Sequence, residues 1–315
     1  MGAAWMIVAF LVAAAGTAVL GLLLRWVDRK VTARVQWRVG PPIYQPFVDV
    51  LKLMGKETLM PVTARGTGFL LAPLIAVAAT GVAAAILWMA AAGGPGFVGD
   101  LIVVIYLLMI PALMTIVGAS SSGNPHAAIG AARELKLLLS YELPLVLVVL
   151  VAVARGGWML QLGQIVAAQQ GAPLVHSVSG VLALLVAIVC MQAKLGQVPF
   201  DLAEAECEIM SGVYVEYSGP SLAMFLVARA MMLALLPLLL IVLFWGGLHA
   251  GAWWGYLTFA GKYVLLVALV TLIRNTNPRL RIDQAVRFFW FTLTPAAILA
   301  LALAAAGIAR DLPWL

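Results

Sequence analysis

The stretch LAMFLVARAMMLALLPLLLIVLFW, Leu222–Trp245, decides the fold class. It carries one charge, Arg229, in 24 residues. A helix of that length rises about 36 Å, enough to cross a hydrocarbon layer of about 30 Å. Seven more apolar runs flank it: Ala3–Leu24, Phe69–Ala92, Leu101–Gly118, Leu135–Ala154, Val178–Met191, Trp253–Ile273 and Phe288–Ile308. The fifth in chain order, Val178–Met191, is short and is expected to extend toward Pro199. Nothing basic precedes Ala3, so the first run lacks the n-region of a signal peptide and counts as a span. The 315 residues are 64% apolar and 10% charged, against about 45–50% and about 25% in a soluble domain. The expectation is an all-α, polytopic membrane protein of about eight transmembrane helices, residues 1–315 forming one domain.

Composition removes several functions. Two cysteines, Cys190 and Cys207, cannot make a disulfide framework or a four-cysteine cluster site. Three histidines, His126, His176 and His249, stand singly. There is no glycine-rich phosphate loop. No metal and no cofactor is expected in this chain. The cysteines read as small apolar fillers and the histidines as ordinary loop residues.

Of 19 Lys and Arg residues, 15 fall in or beside Arg25–Gly68, Ala119–Glu134, Gln192–Ser221 and Arg274–Arg287. The opposite loops hold Arg155 and Arg310. The positive-inside rule then puts the four rich loops in the cytoplasm and both termini outside. The net charge of +6 is a topology signal beside a lipid surface, not the footprint of a nucleic acid. Trp5, Trp26, Trp88, Trp158, Trp245, Trp253 and Trp254 fall near span ends, as interface belts do.

The first loop, residues 25–68, contains a stretch Gln45–Glu57 that reads as an interfacial helix. Pro46 suits a first helical turn. Asp49, Lys52 and Lys56 share one face; Phe47, Val50, Leu51 and Met54 share the other. It is either a solvated anchor or a docking platform.

The acidic loop, residues 192–221, crowds Asp201, Glu204, Glu206, Glu208 and Glu216. Asp201 and Glu204 have capping-box spacing. Glu204 and Glu208 are four apart, which on a helix puts their Cβ atoms about 5–6 Å apart. Like charges there repel by roughly 3 kcal/mol at an effective dielectric of about 20, or about two pKa units. A coupled set that keeps a proton near neutrality suits a proton relay; a negative surface patch is the plainer reading. Inside the spans lie Glu142, Arg229 and Lys262, each expensive in lipid and each a functional candidate. For Arg229 and Lys262 the plainer reading is an ion pair with a carboxylate. Pro144, just after Glu142, can loosen its helix and admit water.

Three segments carry a resemblance. They are Gln36-Trp37-Arg38-Val39-Gly40-Pro41 followed by Gln45-Pro46, Asp49, Lys52-Leu53 and Lys56-Glu57; Gly123-Asn124-Pro125 through Arg133-Glu134 to Tyr141-Glu142; and Pro199-Phe200-Asp201-Leu202-Ala203-Glu204-Ala205-Glu206-Cys207-Glu208 with Val215-Glu216-Tyr217-Ser218-Gly219. Together the chain resembles respiratory complex I subunit 1 and the related membrane subunit of energy-converting (group 4) [NiFe] hydrogenases. Three residues separate Pro41 from Gln45, where the quinone-reducing subunit is expected to carry a longer insert. The short version is similar to the hydrogenase branch.

The resemblance implies a prokaryotic plasma-membrane subunit that translocates ions, protons first among them, for a redox complex of the respiratory chain. It implies [NiFe] and iron–sulfur clusters in soluble partners: hydrogenase large and small subunits and an iron–sulfur protein. These would dock on Arg29, Arg38, Asp49, Lys52, Lys56, Glu57, Arg279 and Arg281. It further implies that Glu142 joins Asp201, Glu204, Glu206, Glu208 and Glu216 in a proton path toward antiporter-like subunits, with Lys262 as a candidate relay. Two relatives of that reading stay open: the quinone-binding subunit of an NADH:quinone oxidoreductase, and the membrane subunit of a sulfur-reducing complex. A free-standing secondary transporter is the reading from another class, although no paired broken helices in two corresponding halves are visible.

Overall fold

The computed structural model describes residues 3–64, 66–94, 96–169, 171–204, 206–248, 253–310, 312 and 314, with side chains for all of these except 3–7, 206 and 207. Every regular element among them is helical. The elements are α1 (Ala3–Val35), α2 (Gln45–Met54), α3 (Gly66–Ala91), α4 (Asp100–Ser121), α5 (Pro125–Arg155), α6 (Leu162–Ala168), α7 (Val178–Lys194), α8 (Glu206–Ile209), α9 (Gly219–Phe244), α10 (Trp253–Thr276), α11 (Ile282–Phe288) and α12 (Thr294–Ala309). A π-helical turn, Phe289–Leu293, joins α11 to α12 into one continuous rod.

Seven of these rods are long and apolar enough to cross a membrane, and α7 is a shorter apolar helix of 17 residues. These eight coincide with the eight expected spans. α7 corrects one expectation, because it stops at Lys194 rather than running on to Pro199. Gly196 there adopts φ +60°, a left-handed conformation that ends a helix at little cost to glycine. α1 departs in the other direction. It continues past Leu24 to Val35 because nothing breaks it before the left-handed residues Trp37 and Gly40. Arg25, Asp28 and Arg29 are therefore helical.

α9 is the most enclosed rod and packs on α3 and α1, with α4 against α3. The second group is α5, α7 and α12, each packed on the others, and α10 lies across α1, α9 and α7. Small residues set the closest crossing. A Cβ on Gly21 would lie 2.1 Å from the Ala230 carbonyl oxygen, so α1 and α9 meet backbone to backbone there.

The segment expected to be a loop at Ala119–Glu134 is mostly helix. Asn124 caps α5 by accepting a hydrogen bond from the His126 amide at 2.9 Å, with Pro125 at the first helical position. Both are helix-start signals. Glu134 thus rides on α5 inside the bundle.

Candidate functional site

The acidic loop is folded into the basic end of the bundle. Gly212, at φ +51°, lets the chain close on itself: a Cβ there would sit 1.9 Å from the Ala203 carbonyl oxygen. Gly130 of α5 leaves room for the same loop, with the Val213 nitrogen and Ala203 oxygen about its missing Cβ at 2.9 and 3.0 Å. Tyr217 anchors the far end. Its ring stacks on Phe69 at 4.2 Å and its hydroxyl donates to the Phe69 carbonyl at 3.0 Å. The tyrosine and glycine of the Val215–Gly219 motif are therefore architectural. Gly219 lies so close to the segment after α2 that a Cβ would meet the Glu57 oxygen at 2.6 Å.

This folding overturns the expected arrangement of the acids. Residues 201–204 are not helical, so Asp201 and Glu204 form no capping box. α8 starts only at Glu206, and Glu204 and Glu208 do not share a face. Glu204 is drawn inward to an ion pair with Arg229. Glu208 turns outward to Arg133, whose hydrogen bond holds its carboxyl below the usual range. The side chain of Glu206 lies outside the described residues, as do Cys207 and His249. Glu216 accepts from the Asn124 side chain at 2.5 Å, at the start of α5.

Two cavities meet at Asp201, Glu204 and Arg229. The outer one, about 320 Å³, is walled by Arg25, Asp28, Arg29, Gln197 and Arg274. Asp28, almost fully buried, is ion-paired with Arg274. The inner cavity, about 50 Å³, adds Glu134, Lys194, Thr115 and Tyr214. Both share Leu195 and Gly196 at the end of α7. The inner space is large enough for a few water molecules. Asp28 Oδ1 and Gln197 Oε1 are buried without a hydrogen-bond partner among the described residues, so the outer chamber offers acceptors to entering water.

Burial raises the Asp201 carboxyl above its usual value, and nearby Glu204 adds to this; Arg229, Arg279 and Arg274 oppose it. Burial likewise pushes the Tyr214 hydroxyl up to about 12. Tyr214 stays neutral and presents its ring to the Arg229 guanidinium, 5.8 Å from the centroid.

Lys194 carries the series deeper. Its stem lines the inner cavity, and its Nζ donates to Glu142 Oε2 at 3.0 Å. The ammonium lies 5.4 Å from the centre of the Tyr141 ring. Its side chain is 2% exposed and that of Glu142 17%. Ionisable groups therefore follow one another from the basic rim through Asp201, Glu204–Arg229 and Glu134 to Lys194–Glu142. Sequence reasoning missed Glu134 and Lys194. The first was hidden by reading its helical turn as loop, although the Asn124-Pro125 cap could have revealed it. The second has no local signal.

Arg229 has its carboxylate, as expected. Lys262 does not: its Nζ donates to the Trp245 carbonyl at 3.0 Å, beyond the C-terminus of α9, where a cation is favoured. It lies apart from both cavities. On the rim, Arg29 is paired with Asp49 at 3.2 Å and clips α2 to α1. Gln45 donates to the same carboxylate at 2.7 Å. Arg38, Lys52, Lys56, Glu57 and Arg281 are exposed, and Arg279 is half-buried. Around them Trp37, Val39, Leu59 and Val62 are exposed as well, Trp37 at 97%.

A family profile described as NADH dehydrogenase matches residues 6–305. The chain belongs to this family, the one that includes complex I subunit 1. Among relatives of the NADH dehydrogenase family, the H subunit of the NADH-quinone oxidoreductase of Geobacillus thermodenitrificans is 35% identical over 292 residues, covering 88% of this chain and 86% of the relative. The corresponding subunit of Anaplasma phagocytophilum is 33% identical over 308 residues, covering 86% and 87%. A chain of the membrane-bound sulfane sulfur reductase, an archaeal respiratory membrane complex, superimposes with a TM-score of 0.84 at 30% identity, covering 95% of this chain and 99% of that one. This NADH dehydrogenase family member is an integral membrane subunit of a complex I-like assembly.

Proposed function

We propose that this chain is the ion-translocating membrane subunit of an energy-converting, [NiFe]-hydrogenase-type complex. The observation that carries the reading is the run of ionisable groups from the basic rim to Lys194–Glu142. Electron transfer in soluble subunits docked on the rim changes the charge facing the outer chamber. Asp201, held above the usual carboxyl range beside Glu204, responds by taking up or releasing a proton. Glu134 and the Lys194–Glu142 pair carry the change into the bundle, toward antiporter-like neighbours. Glu208, exposed on Arg133, Glu216 at the α5 cap, and Lys262 on the Trp245 carbonyl line neither of the two cavities and stand beside this path. The [NiFe] and iron–sulfur clusters belong to the partners. The rim faces the cytoplasm of a prokaryotic cell, with both termini outside.

The hydrogenase branch is supported by the short link between α1 and α2. Gly40, at φ +73°, turns the chain, and Trp26 Nε1 donates to the Pro41 carbonyl at 3.1 Å, closing the link against α1. The names of the relatives favour a second reading, the quinone-binding subunit. A quinone head needs largely apolar walls, and the outer chamber is lined by four arginines and three carboxylates. Metal analysis and subunit identification of the complex purified from native membranes test the two. Nickel with hydrogenase subunits supports the proposal. A nickel-free complex with NADH dehydrogenase subunits, inhibited by quinone analogues, overturns it.

A further inference from the structure

A groove opens between α5 and α11 on the outer surface, away from the two polar cavities. It holds about 490 Å³ and is lined by Lys136, Leu139 and Ser140 on one side. Ile282, Asp283, Val286, Arg287 and Trp290 line the other. The two elements pack against each other.

The depth of its residues is ordered. Lys136 and Arg287 sit where the apolar runs Leu135–Ala154 and Phe288–Ile308 begin, the level at which a helix leaves hydrocarbon for headgroups. One turn deeper on each element stands a large exposed apolar residue, Leu139 at 60% and Trp290 at 51%. Residues three apart lie on one helix face, so each side of the groove presents a cation above an apolar surface. The Lys136 and Arg287 side chains make no hydrogen bond or ion pair among the described residues. Five other basic side chains, Arg29, Arg133, Lys194, Arg229 and Arg274, are each matched by a carboxylate. The groove carries one acid, Asp283, against its two cations.

We propose that this groove binds an anionic phospholipid, its phosphate between Lys136 and Arg287 and an acyl chain along Leu139 and Trp290. Basic pockets between membrane helices recognise anionic headgroups through this combination of charge and apolar wall. The Trp290 indole sits at the interface depth that tryptophan prefers. The binding would tie α5, which carries Glu134 and Glu142, to the annular lipid.

The test is native mass spectrometry of the purified complex exchanged into phosphatidylcholine bilayers doped with phosphatidylglycerol. The wild type should retain phosphatidylglycerol selectively. The variant Lys136→Gln/Arg287→Gln should retain it roughly thirtyfold more weakly, from about one kcal/mol per cation near an anionic surface. Asp283→Asn should retain it several-fold better; this change in the opposite direction separates lipid recognition from a folding defect. Equal retention in all three overturns the proposal. So does displacement of the lipid by inorganic phosphate alone, which would mark a site for a free anion. Photo-crosslinking from position 290 to another membrane subunit would also overturn it, because the groove would then be a protein interface.

Discussion

Lys194 and Glu142 form the deepest charged pair beside the inner cavity. Burying two charges costs several kcal/mol each, and their attraction offsets this only while both are present. Removing the lysine alone leaves a carboxylate in a mostly enclosed site. Lys194→Met should lower stability by about 3–5 kcal/mol, read as the unfolding midpoint of the purified complex. Lys194→Met combined with Glu142→Leu should recover most of the loss. A single variant as stable as wild type would mean that the pair is not closed in the folded protein.

Asp201 gives a pH dependence of defined sign. Its folded pKa lies above the unfolded value, so the folded state holds the proton more tightly. The stability it contributes is present below the ordinary aspartate range and is lost as pH rises through the raised folded value. Asp201→Asn should flatten stability across that acidic window and should not alter its alkaline side. An unchanged profile would show Asp201 to be solvated. Glu142 was legible in the sequence because a carboxylate in an apolar run is conspicuous. Its partner was not, since Lys194 comes from another helix, 52 residues away. The pairing of Glu204 with Arg229 was equally hidden, because four-residue spacing suggests a helix that the ion pairs and Gly212 prevent.

At the scale of elements, hydropathy located the seven membrane-length helices and the shorter α7 among the described residues, because a spanning helix must cover about 30 Å of hydrocarbon without help. It missed where helices outlast the apolar run. α1 runs on through Arg25–Val35 and α5 begins well before Leu135. Beyond the membrane edge, capping chemistry and left-handed glycines set the limits. The α1–α9 crossing depends on Gly21, whose missing Cβ admits the Ala230 carbonyl. Gly21→Val should force the helices apart and cost about 1–3 kcal/mol, measured by thermal unfolding in detergent. Because α1 carries Arg25, Asp28 and Arg29, the same change should also loosen the outer chamber. Wild-type stability in this variant would show that the two backbones do not meet at this point.

On the scale of the whole molecule, two helix groups meet at a polar seam that opens on the basic rim and narrows toward Glu142. Polar density is concentrated at this rim, where exposed Trp37, Val39, Leu59 and Val62 alternate with Arg38, Lys52 and Lys56. A surface with that mixture suits a soluble partner, whose electron transfer the seam would sense. On the proposed function, such coupling would belong to the assembly and would show in ion movement rather than in stability.

The most direct measurement is internal acidification of vesicles carrying the reconstituted complex, with hydrogen turnover followed in the same sample. Glu142→Gln keeps an oxygen for Lys194 Nζ but cannot exchange the proton. With Glu142 in the path, this variant turns over hydrogen at close to the wild-type rate while acidification is largely lost. Acidification at the wild-type ratio to turnover would contradict that role and take Glu142 out of the path.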